Sequence, residues 1–464
     1  MRADETLTQG RDHATILADA LRVTPGVDGW QTAVTRREEA QLYLIGAREE
    51  ARRIVADERA SVTVHNLHAP HAEAEGAGQA LGMTTFTALP GELADPAALS
   101  ARLREGALMA SLTDNQPFTL PGEPREGYPR VETSDPELAG DMTQALERAA
   151  RQLQAALARS PGLRMGSAEL FATRAHETLR TSAGVSATQA STSVFFDLIL
   201  LAGEGSQAAE FHAELRRRRL RDLHFERIVA AYGAFALHSL NAAAPSSWRG
   251  PVILSGEAAA QLFNTPFFQA SPFAAHCSAQ LKHQRMSRFT PGELMTPEAP
   301  RGDALTLISD PTRPWGTRTA SFDRHGLPAT RVTLIEDGVF RNYWADARYA
   351  SYLGVAPTGD IGNLTVRTGT TPARALRDTS AGPVYEVVAF SFFNPDTVTG
   401  DFSAEIRLGY RHDASGVTPI KGGALVGNVF GAFGDARFSA EPYTDGTYYG
   451  PAAIRFGELT IAGE

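Results

Sequence analysis

The spacing of apolar residues in the first half of the chain predicts several helices. In segments 11–22, 96–112 and about 136–159 the apolar residues recur at helical spacing, which puts them on one face of a helix. The segment from about 206 to 240 is also predicted to be a long helix. The residues between these helices are left to form strands and connections.

Alternation of apolar and polar residues predicts strands in the same half. Segments 60–67 and 82–89 carry β-branched residues in alternation, and 169–201 is predicted to form two antiparallel strands. Segment 40–55 is compatible with a helix. Five prolines predict an extended connection over 116–137.

After Pro245 the pattern becomes strand-like and stays so to the end of the sequence. Strand-length runs alternate with turn signals, and Asp337-Gly338 predicts a tight hairpin within 330–346. We therefore predict an α+β protein with two domains. Residues 1–241 are expected to form an N-terminal antiparallel sheet with flanking helices, and residues 242–464 a β-rich C-terminal domain.

Composition and charge narrow the class of protein. A chain of 464 residues with 43% hydrophobic and 21% charged residues has the composition of a soluble globular protein and is long enough for two domains. The net charge of −9 argues against nucleic acid as the main ligand. One cysteine, no secretory leader pattern and no uncharged apolar run of spanning length predict a cytoplasmic protein outside the membrane.

Most short motifs of known enzymes are absent from the sequence. The chain has no nucleophile elbow, phosphate loop, paired-cysteine motif or His-Glu-x-x-His helix. The run RRRRLR at 216–221 falls within the predicted long helix, where its charges would spread around the cylinder. We interpret it as a solvated or partner-facing surface rather than a nucleic-acid contact.

Three histidines in the first half raise the question of a metal site. His65, His68 and His71 follow one another at intervals of three residues, and zinc binds imidazole well. On a strand His68 would point to the opposite face, and Pro70 would break a helix. A polar loop is therefore the preferred interpretation of this segment.

A second group of metal-ligand residue types lies in the other half. His276 and Cys277 are adjacent, so their side chains diverge on a helix or a strand, and His283 does not easily approach both. Zinc needs several converging ligands, and a lone cysteine is commonly a small buried residue. Spacing alone therefore favours a packing role, with a metal site as the alternative.

Four segments of the C-terminal half carry a more specific signal. The run SFDRHGLPATRVTLIEDGVFRNYWADARYASYLG occupies 321–354, and it is accompanied by RGPVILSGEAAAQLF, VTPIKGGALVGNVF and GPAAIRFGELTIAG. Together they resemble the TldD/PmbA family of peptidases and peptidase-like proteins, also called modulators of DNA gyrase. Matching positions of the first run include Asp323, Gly326, Pro328 and Glu336.

The resemblance also implies where a catalytic site should lie and what this chain lacks. Catalytic members hold a metal with His-Glu-x-x-x-His on the helix after the first strand of the C-terminal domain, together with a cysteine near the C-terminus. Here Asn264 and Gln269 occupy the histidine positions, and Thr265 occupies that of the glutamate. The C-terminal cysteine is missing, so the chain resembles the PmbA/TldE branch, whose members lack the motif.

The resemblance implies a non-catalytic subunit with no cofactor of its own. In this family the two kinds of subunit associate and degrade short or unfolded peptides, so we expect zinc or iron in a motif-bearing, TldD-like partner and extended peptides as substrates. The alternative is a homodimeric peptide-binding or scaffold protein of the same fold. An enzyme with a new site at His276, Cys277 or His283 is a third hypothesis, although adjacent His and Cys seldom form a nucleophile–base pair.

Overall fold

The computed structural model describes residues 12–71, 78–205, 208–263 and 271–463. These residues form an N-terminal antiparallel sheet with flanking helices and a β-rich C-terminal part, which confirms the predicted α+β class. None of the helices in the described ranges is both long enough and apolar enough to cross a membrane.

One six-stranded antiparallel sheet dominates the N-terminal half. Its order is β3-β2-β1-β4-β5-β6. The strands are β1 Gly29–Ile45, β2 Arg48–His68, β3 Ala80–Ala88, β4 Leu163–Thr181, β5 Ser186–Ala202 and β6 Ala209–Arg217. The helical interpretation of segment 40–55 is wrong: the segment is a hairpin of two strands, in which Ala40, Leu42 and Leu44 are buried in alternation and the residues between them less so.

Six helices accompany this sheet. They are α1 His13–Val23, α2 Pro90–Ala94, α3 Pro96–Ala110, α4 Pro136–Ala139, α5 Met142–Ala158 and α6 Phe225–Ser239. The helix predicted over 136–159 is divided at Gly140, after which Asp141 caps α5 by accepting a hydrogen bond from the N–H of Gln144 at 3.0 Å.

The prediction of one long helix over 206–240 is wrong for the first half of this segment. Phe211, Ala213 and Leu215 alternate as buried residues on β6, which pairs with β5, so tertiary pairing decides the structure of this segment. Only α6 is helical. The arginine run at 216–221 therefore begins at the end of β6 and continues into the connection that follows it, and it does not lie on the surface of a long helix.

In the described residues of the C-terminal half there are thirteen strands and six short α-helices. The strands are β7 Trp248–Ser255, β8 Leu307–Asp310, β9 Val332–Glu336, β10 Val339–Phe340, β11 Asn363–Val366, β12 Val384–Phe392, β13 Asp401–Asp413, β14 Gly416–Ile420, β15 Ala424–Asn428, β16 Ala436–Phe438, β17 Pro442–Asp445, β18 Tyr448–Pro451 and β19 Ala453–Ala462. The helices are α7 Glu257–Gln261, α8 Pro272–His276, α9 Ala279–His283, α10 Ala347–Leu353, α11 Ala373–Leu376 and α12 Val429–Ala432.

These strands form two sheets, one of which closes on itself. The first sheet has the order β10-β9-β8-β11-β18-β17, and the second has the order β12-β7-β19-β15-β13-β14. Pairing between β12 and β13 closes the second sheet into a barrel. The predicted hairpin is confirmed: Asp337 and Gly338 join β9 to β10 with φ of 50° and 79°, the left-handed conformation that a tight hairpin turn requires.

The hydrophobic cores of the two halves are not separate. Val388, Ala389 and Leu408 come from β12 and β13, yet they pack into the core beneath the N-terminal sheet. The expected boundary near residue 242 lies between α6 and β7. Because the cores share residues, the division into two domains at that point stays an interpretation.

Candidate functional site

The positions that correspond to the family's metal motif cannot be described structurally. Asn264, Thr265 and Gln269 lie outside the described residues, between Phe263 and Ser271. The assignment of these positions as degenerate therefore stays a prediction from the sequence. Carboxamides are poor zinc ligands, and a threonine hydroxyl is no general base near neutral pH.

His276, Cys277 and His283 follow these positions in the sequence, and each of the three has a separate environment in the structure. His276 is fully buried, with Nδ1 at 3.0 Å from Ser287 Oγ and Nε2 at 2.9 Å from the Val398 carbonyl oxygen. Cys277 is also fully buried, and burial raises the pKa of its thiol well above the usual value. The ring of His283 packs against Tyr352, with centroids 4.9 Å apart.

These three side chains do not fit a metal ion. Both His276 nitrogens already have polar partners, and the Cys277 thiol is held in its protonated form by burial. In the described ranges, the three are not among the groups of His, Cys, Asp and Glu whose ligand atoms converge. We therefore derive no chemical step through a metal at this place.

A groove of about 760 Å³ lies between the N-terminal sheet and the C-terminal half. Glu177, Gln189 and Ser191 of β4 and β5 form one side of it. The opposite side is formed by α8, α9 and several connections of the C-terminal half, with lining residues that include Ala275, Gln280, Gln284, Arg318, Arg324 and Asp360. Most of these side chains are polar, so the groove can offer hydrogen bonds as well as charge.

Arg218 lines this groove and holds the backbone of residues 316–319, which form part of its side. It is only 9% exposed, and its guanidinium donates to the carbonyl oxygens of Gly316 at 3.0 Å, Thr317 at 2.9 Å and Thr319 at 2.9 Å. Burial without a carboxylate lowers its pKa to about 10. One arginine at the end of the N-terminal sheet thus fixes the connection that precedes the family-like run.

The same side of the groove carries Arg318, whose backbone is held from a second direction. Its N–H donates to Asn363 Oδ1 at 3.0 Å, while Asn363 Nδ2 donates to the Asp310 carbonyl oxygen at 3.0 Å. Burial lowers the pKa of the Arg318 guanidinium. In the described part of the chain, this guanidinium has neither a carboxylate nor a hydrogen-bond acceptor as a partner.

An unpaired and partly buried cation is less well solvated than one in open water, so a ligand of opposite charge would stabilise it. The other charged side chains of the groove already have polar partners: Arg324 pairs with Asp360, Glu177 accepts from Gln189 at 2.9 Å, and Arg218 donates to four backbone carbonyl oxygens. Arg318 is therefore the side chain in the groove that is available to an anionic group. A guanidinium binds carboxylates through paired hydrogen bonds.

The family-like residues Asp323 and Gly326 shape a turn next to the groove residue Arg324. Asp323 Oδ1 accepts from the N–H groups of His325 at 2.9 Å and Leu327 at 2.8 Å. Burial, followed by the charge of Asp360, raises the pKa of Asp323 to about 7. The Gly326 carbonyl oxygen accepts from Tyr128 Oη at 3.1 Å, which ties this turn to the N-terminal half.

A second cavity, of about 450 Å³, lies where α6 meets the barrel. Its lining includes Tyr232, Glu257 and Glu386. Burial, followed by the charge of Asp445, raises the pKa of Glu257 to about 7. Burial opposes ionisation of Glu386 too, but hydrogen bonds from Arg377, His412 and Ser255 outweigh it and lower the pKa to about 2. Glu386 thus acts as a structural anion that joins neighbouring strands.

Reasoning from the sequence missed the groove and its arginines. Arg218 was hidden in a run interpreted as a helix, and nothing in the pattern around Arg318 indicates burial. The histidine triplet was also interpreted incompletely. His65 and His68 belong to β2, but the chain turns after His68, so His68 and His71 both reach Asp114 while His65 packs against Phe118.

Comparison with known proteins agrees with the fold. Residues 247–463 match the PmbA/TldA metallopeptidase C-terminal domain family. An uncharacterized protein from Methanocaldococcus jannaschii is 24% identical over 166 residues, which cover 34% of this chain and 40% of that protein. The chain thus aligns with well under half the length of this relative.

Solved structures of low sequence identity share the architecture over nearly the whole chain. TldE from Thermococcus kodakarensis superposes with a TM-score of 0.76 at 16% identity. The superposition covers 97% of this chain and 100% of the TldE chain. A proposed modulator of DNA gyrase from Bacteroides thetaiotaomicron superposes with a TM-score of 0.79 at 17% identity, over 100% of both chains. Residues 247–463 thus belong to the PmbA/TldA metallopeptidase C-terminal domain family, and the whole chain shares the fold of these solved structures.

Proposed function

We propose that this chain is a non-catalytic subunit that binds extended peptides for a metalloprotease partner of the same family. The observation that carries the proposal is the polar groove with the unpaired Arg318 guanidinium. The matched family is named for metallopeptidases, while Asn264, Thr265 and Gln269 replace the residues that a catalytic member needs. Zinc or iron would then belong to the motif-bearing partner.

The groove suits a peptide end better than a compact molecule. An extended peptide offers backbone N–H and C=O groups along its length, and the side chains of Ser191, Gln280 and Gln284 can pair with them. The C-terminal carboxylate of a peptide would supply the charge that Arg318 lacks. This arrangement favours peptides with a free C-terminus and shows no requirement for a particular sequence.

Association with a partner is supported by exposed apolar residues on the hairpin of β1 and β2. Ile45, Ile54 and Val55 are 56%, 64% and 45% exposed near the hairpin end. The N-terminal sheet is also open, with β3 and β6 as its outer strands. Apolar side chains in such positions are typical of surfaces that another protein covers.

A homodimeric peptide-binding protein is the second candidate function. The exposed apolar residues of the β1–β2 hairpin would then be covered by a second copy of this chain. In both cases the proposed location is the cytoplasm, where a single reduced cysteine is usual. The two candidates differ in whether peptide cleavage appears when a motif-bearing paralogue is added.

The role of Arg318 can be tested with an unstructured, fluorescently labelled peptide made with a free C-terminal carboxylate and again as the amide. We expect wild-type protein to prefer the free acid, and Arg318→Gln to weaken binding of the acid by about tenfold or more, since a buried charge-assisted hydrogen bond contributes about 1.5–3 kcal/mol. Binding of the amide should change little.

The matched control is Arg104→Gln, which removes an exposed arginine of α3 outside the groove. This variant should bind both peptides as the wild type does. Equal affinity of the wild type for acid and amide, with no effect of Arg318→Gln, would contradict carboxylate recognition in the groove.

A further inference from the structure

Two histidines and an aspartate converge at the end of β2, away from the residues of the family's metal motif. His68 Nε2 lies 3.0 Å from Asp114 Oδ1, and His71 Nδ1 lies 2.8 Å from the same oxygen. In the described ranges, the ligand atoms of these residues all lie within 4.8 Å of one another. Such spacing is close to that between neighbouring ligands of one zinc ion.

The backbone around the cluster fixes the positions of the three side chains. Asp114 Oδ2 accepts from the N–H of His71 at 2.9 Å, so the turn after β2 is held to the carboxylate. The next residue, Asn115, exchanges two backbone hydrogen bonds with Leu81 of β3, at 2.9 and 3.1 Å. The ligand atoms therefore come from two segments that are each anchored to the sheet.

The orientation of Asn66 determines which nitrogen of His68 carries the hydrogen. Asn66 Nδ2 donates to the Gly26 carbonyl oxygen at 2.9 Å, so its Oδ1 faces His68 Nδ1 at 3.0 Å as an acceptor. Nδ1 must then be the protonated nitrogen of a neutral His68. In the neutral ring Nε2 presents a lone pair to Asp114 Oδ1, so this contact is attractive only when a proton or a metal cation lies between the two atoms.

We propose that His68, His71 and Asp114 form a binding site for a divalent transition-metal ion, with zinc as the preferred ion. Two imidazoles and one carboxylate are typical zinc ligands, whereas calcium and magnesium prefer oxygen ligands throughout. Water would complete a tetrahedral coordination. The contact from Asn66 to His68 matches the outer hydrogen bond that commonly orients a metal-bound histidine.

The expected role of this ion is to join parts of the molecule. The segment that contains Asp114 continues into contacts with the C-terminal half, where Arg348 Nη2 donates to Asn115 Oδ1 at 2.7 Å and Tyr352 Oη donates to the Gln116 carbonyl oxygen at 2.7 Å. A metal bound between β2 and this segment would strengthen the contact between the two halves. The sequence predicted no metal in this chain on the basis of its degenerate peptidase motif. The proposed site differs from that expectation and uses residues outside the motif.

Binding can be measured on the full-length chain after treatment with a chelator and desalting. Zinc is titrated in competition with a chromophoric chelator, and cobalt is used as a spectroscopic probe of tetrahedral coordination. We expect one equivalent of zinc to bind, an intense visible cobalt spectrum and a higher melting temperature in the presence of zinc.

The variants His68→Gln and Asp114→Asn should each weaken zinc binding by about tenfold or more and remove the zinc-dependent rise in melting temperature. Asn66→Ala should weaken binding by about tenfold, which is typical for loss of an outer hydrogen bond. The control is His176→Gln, which replaces an exposed histidine of β4 and should bind zinc as the wild type does.

Circular dichroism of each variant in chelator separates loss of the site from loss of the fold. If a variant does not fold, the cobalt spectrum of the wild type and of Asn66→Ala still decides the question. The proposal is overturned by the absence of zinc binding to the wild type, or by binding that is unchanged in folded His68→Gln and Asp114→Asn proteins.

Discussion

At the scale of single residues, the side chains with reactive chemistry are not the ones that a ligand can reach in this protein. Cys277 and His276 have the chemistry of a catalytic pair, but one is fully buried and protonated and the other has partners on both nitrogens. Arg318 belongs to no recognisable sequence motif, yet its charge is unpaired within the described part of the chain. Availability depends on burial and partners, which residue type alone does not determine.

Cys277 is therefore expected to tolerate replacement. Cys277→Ser and Cys277→Ala should lower the free energy of unfolding by about 1–2 kcal/mol, because a small buried side chain is changed without loss of an ion pair. Peptide binding should persist in both variants. Chemical denaturation and the peptide titration check this, and complete loss of binding by a folded variant would contradict a packing role.

At the scale of elements, the sequence predicted those whose burial pattern is local. The helices near 11–22 and 96–112, the antiparallel pair β4 and β5, and the Asp337-Gly338 hairpin are all confirmed. The segment that became β6 could not be predicted in the same way, because its strand structure depends on pairing with β5. Gly140 divided another predicted helix.

Glu386 provides a test of how elements are joined in the barrel. It lies on β12 and accepts from Ser255 Oγ of β7 at 2.6 Å, while His412 Nε2 of β13 lies 2.9 Å from its other oxygen. Because the folded protein holds the pKa of Glu386 at about 2, below its ordinary value of 4.5, the ionised form stabilises the fold above about pH 4.5. This contribution is lost as the pH falls from about 4.5 towards about 2.

Glu386→Gln should accordingly be less stable than the wild type at pH 7 by on the order of 3 kcal/mol. The difference should shrink as the pH falls below about 4.5, since the wild type then loses the same interaction. Urea denaturation at several pH values measures this, and Glu405→Gln, an exposed change on β13, is the control. A difference that does not depend on pH would contradict the role of the ionised carboxylate.

At the scale of the whole molecule, family resemblance predicted more than local patterns did. It identified the C-terminal architecture from residues such as Asp323 and Gly326, which form a turn whose Gly326 carbonyl oxygen accepts from Tyr128 of the N-terminal half. The groove could not be predicted, because it is formed by Gln189 of β5, Gln284 after α9 and Arg318 of a connection, which are far apart in sequence. Sites of this kind depend on how the halves pack together.

The central claim is that this chain binds peptide without cleaving it and needs a motif-bearing partner for proteolysis. The most direct measurement is cleavage of an unstructured peptide by this chain alone, by a motif-bearing paralogue from the same cell, and by their mixture. Two variants complete the set: the paralogue without its motif glutamate, and this chain with Ile54→Asp on the exposed hairpin.

We expect no cleavage by this chain alone and chelator-sensitive cleavage by the mixture at a rate above that of the paralogue. Loss of the paralogue's glutamate should abolish cleavage, and Ile54→Asp should reduce the gain by weakening association, because an exposed apolar residue becomes charged at the interface. Metal-dependent cleavage by this chain alone would contradict the account, as would failure of the two proteins to associate at micromolar concentration.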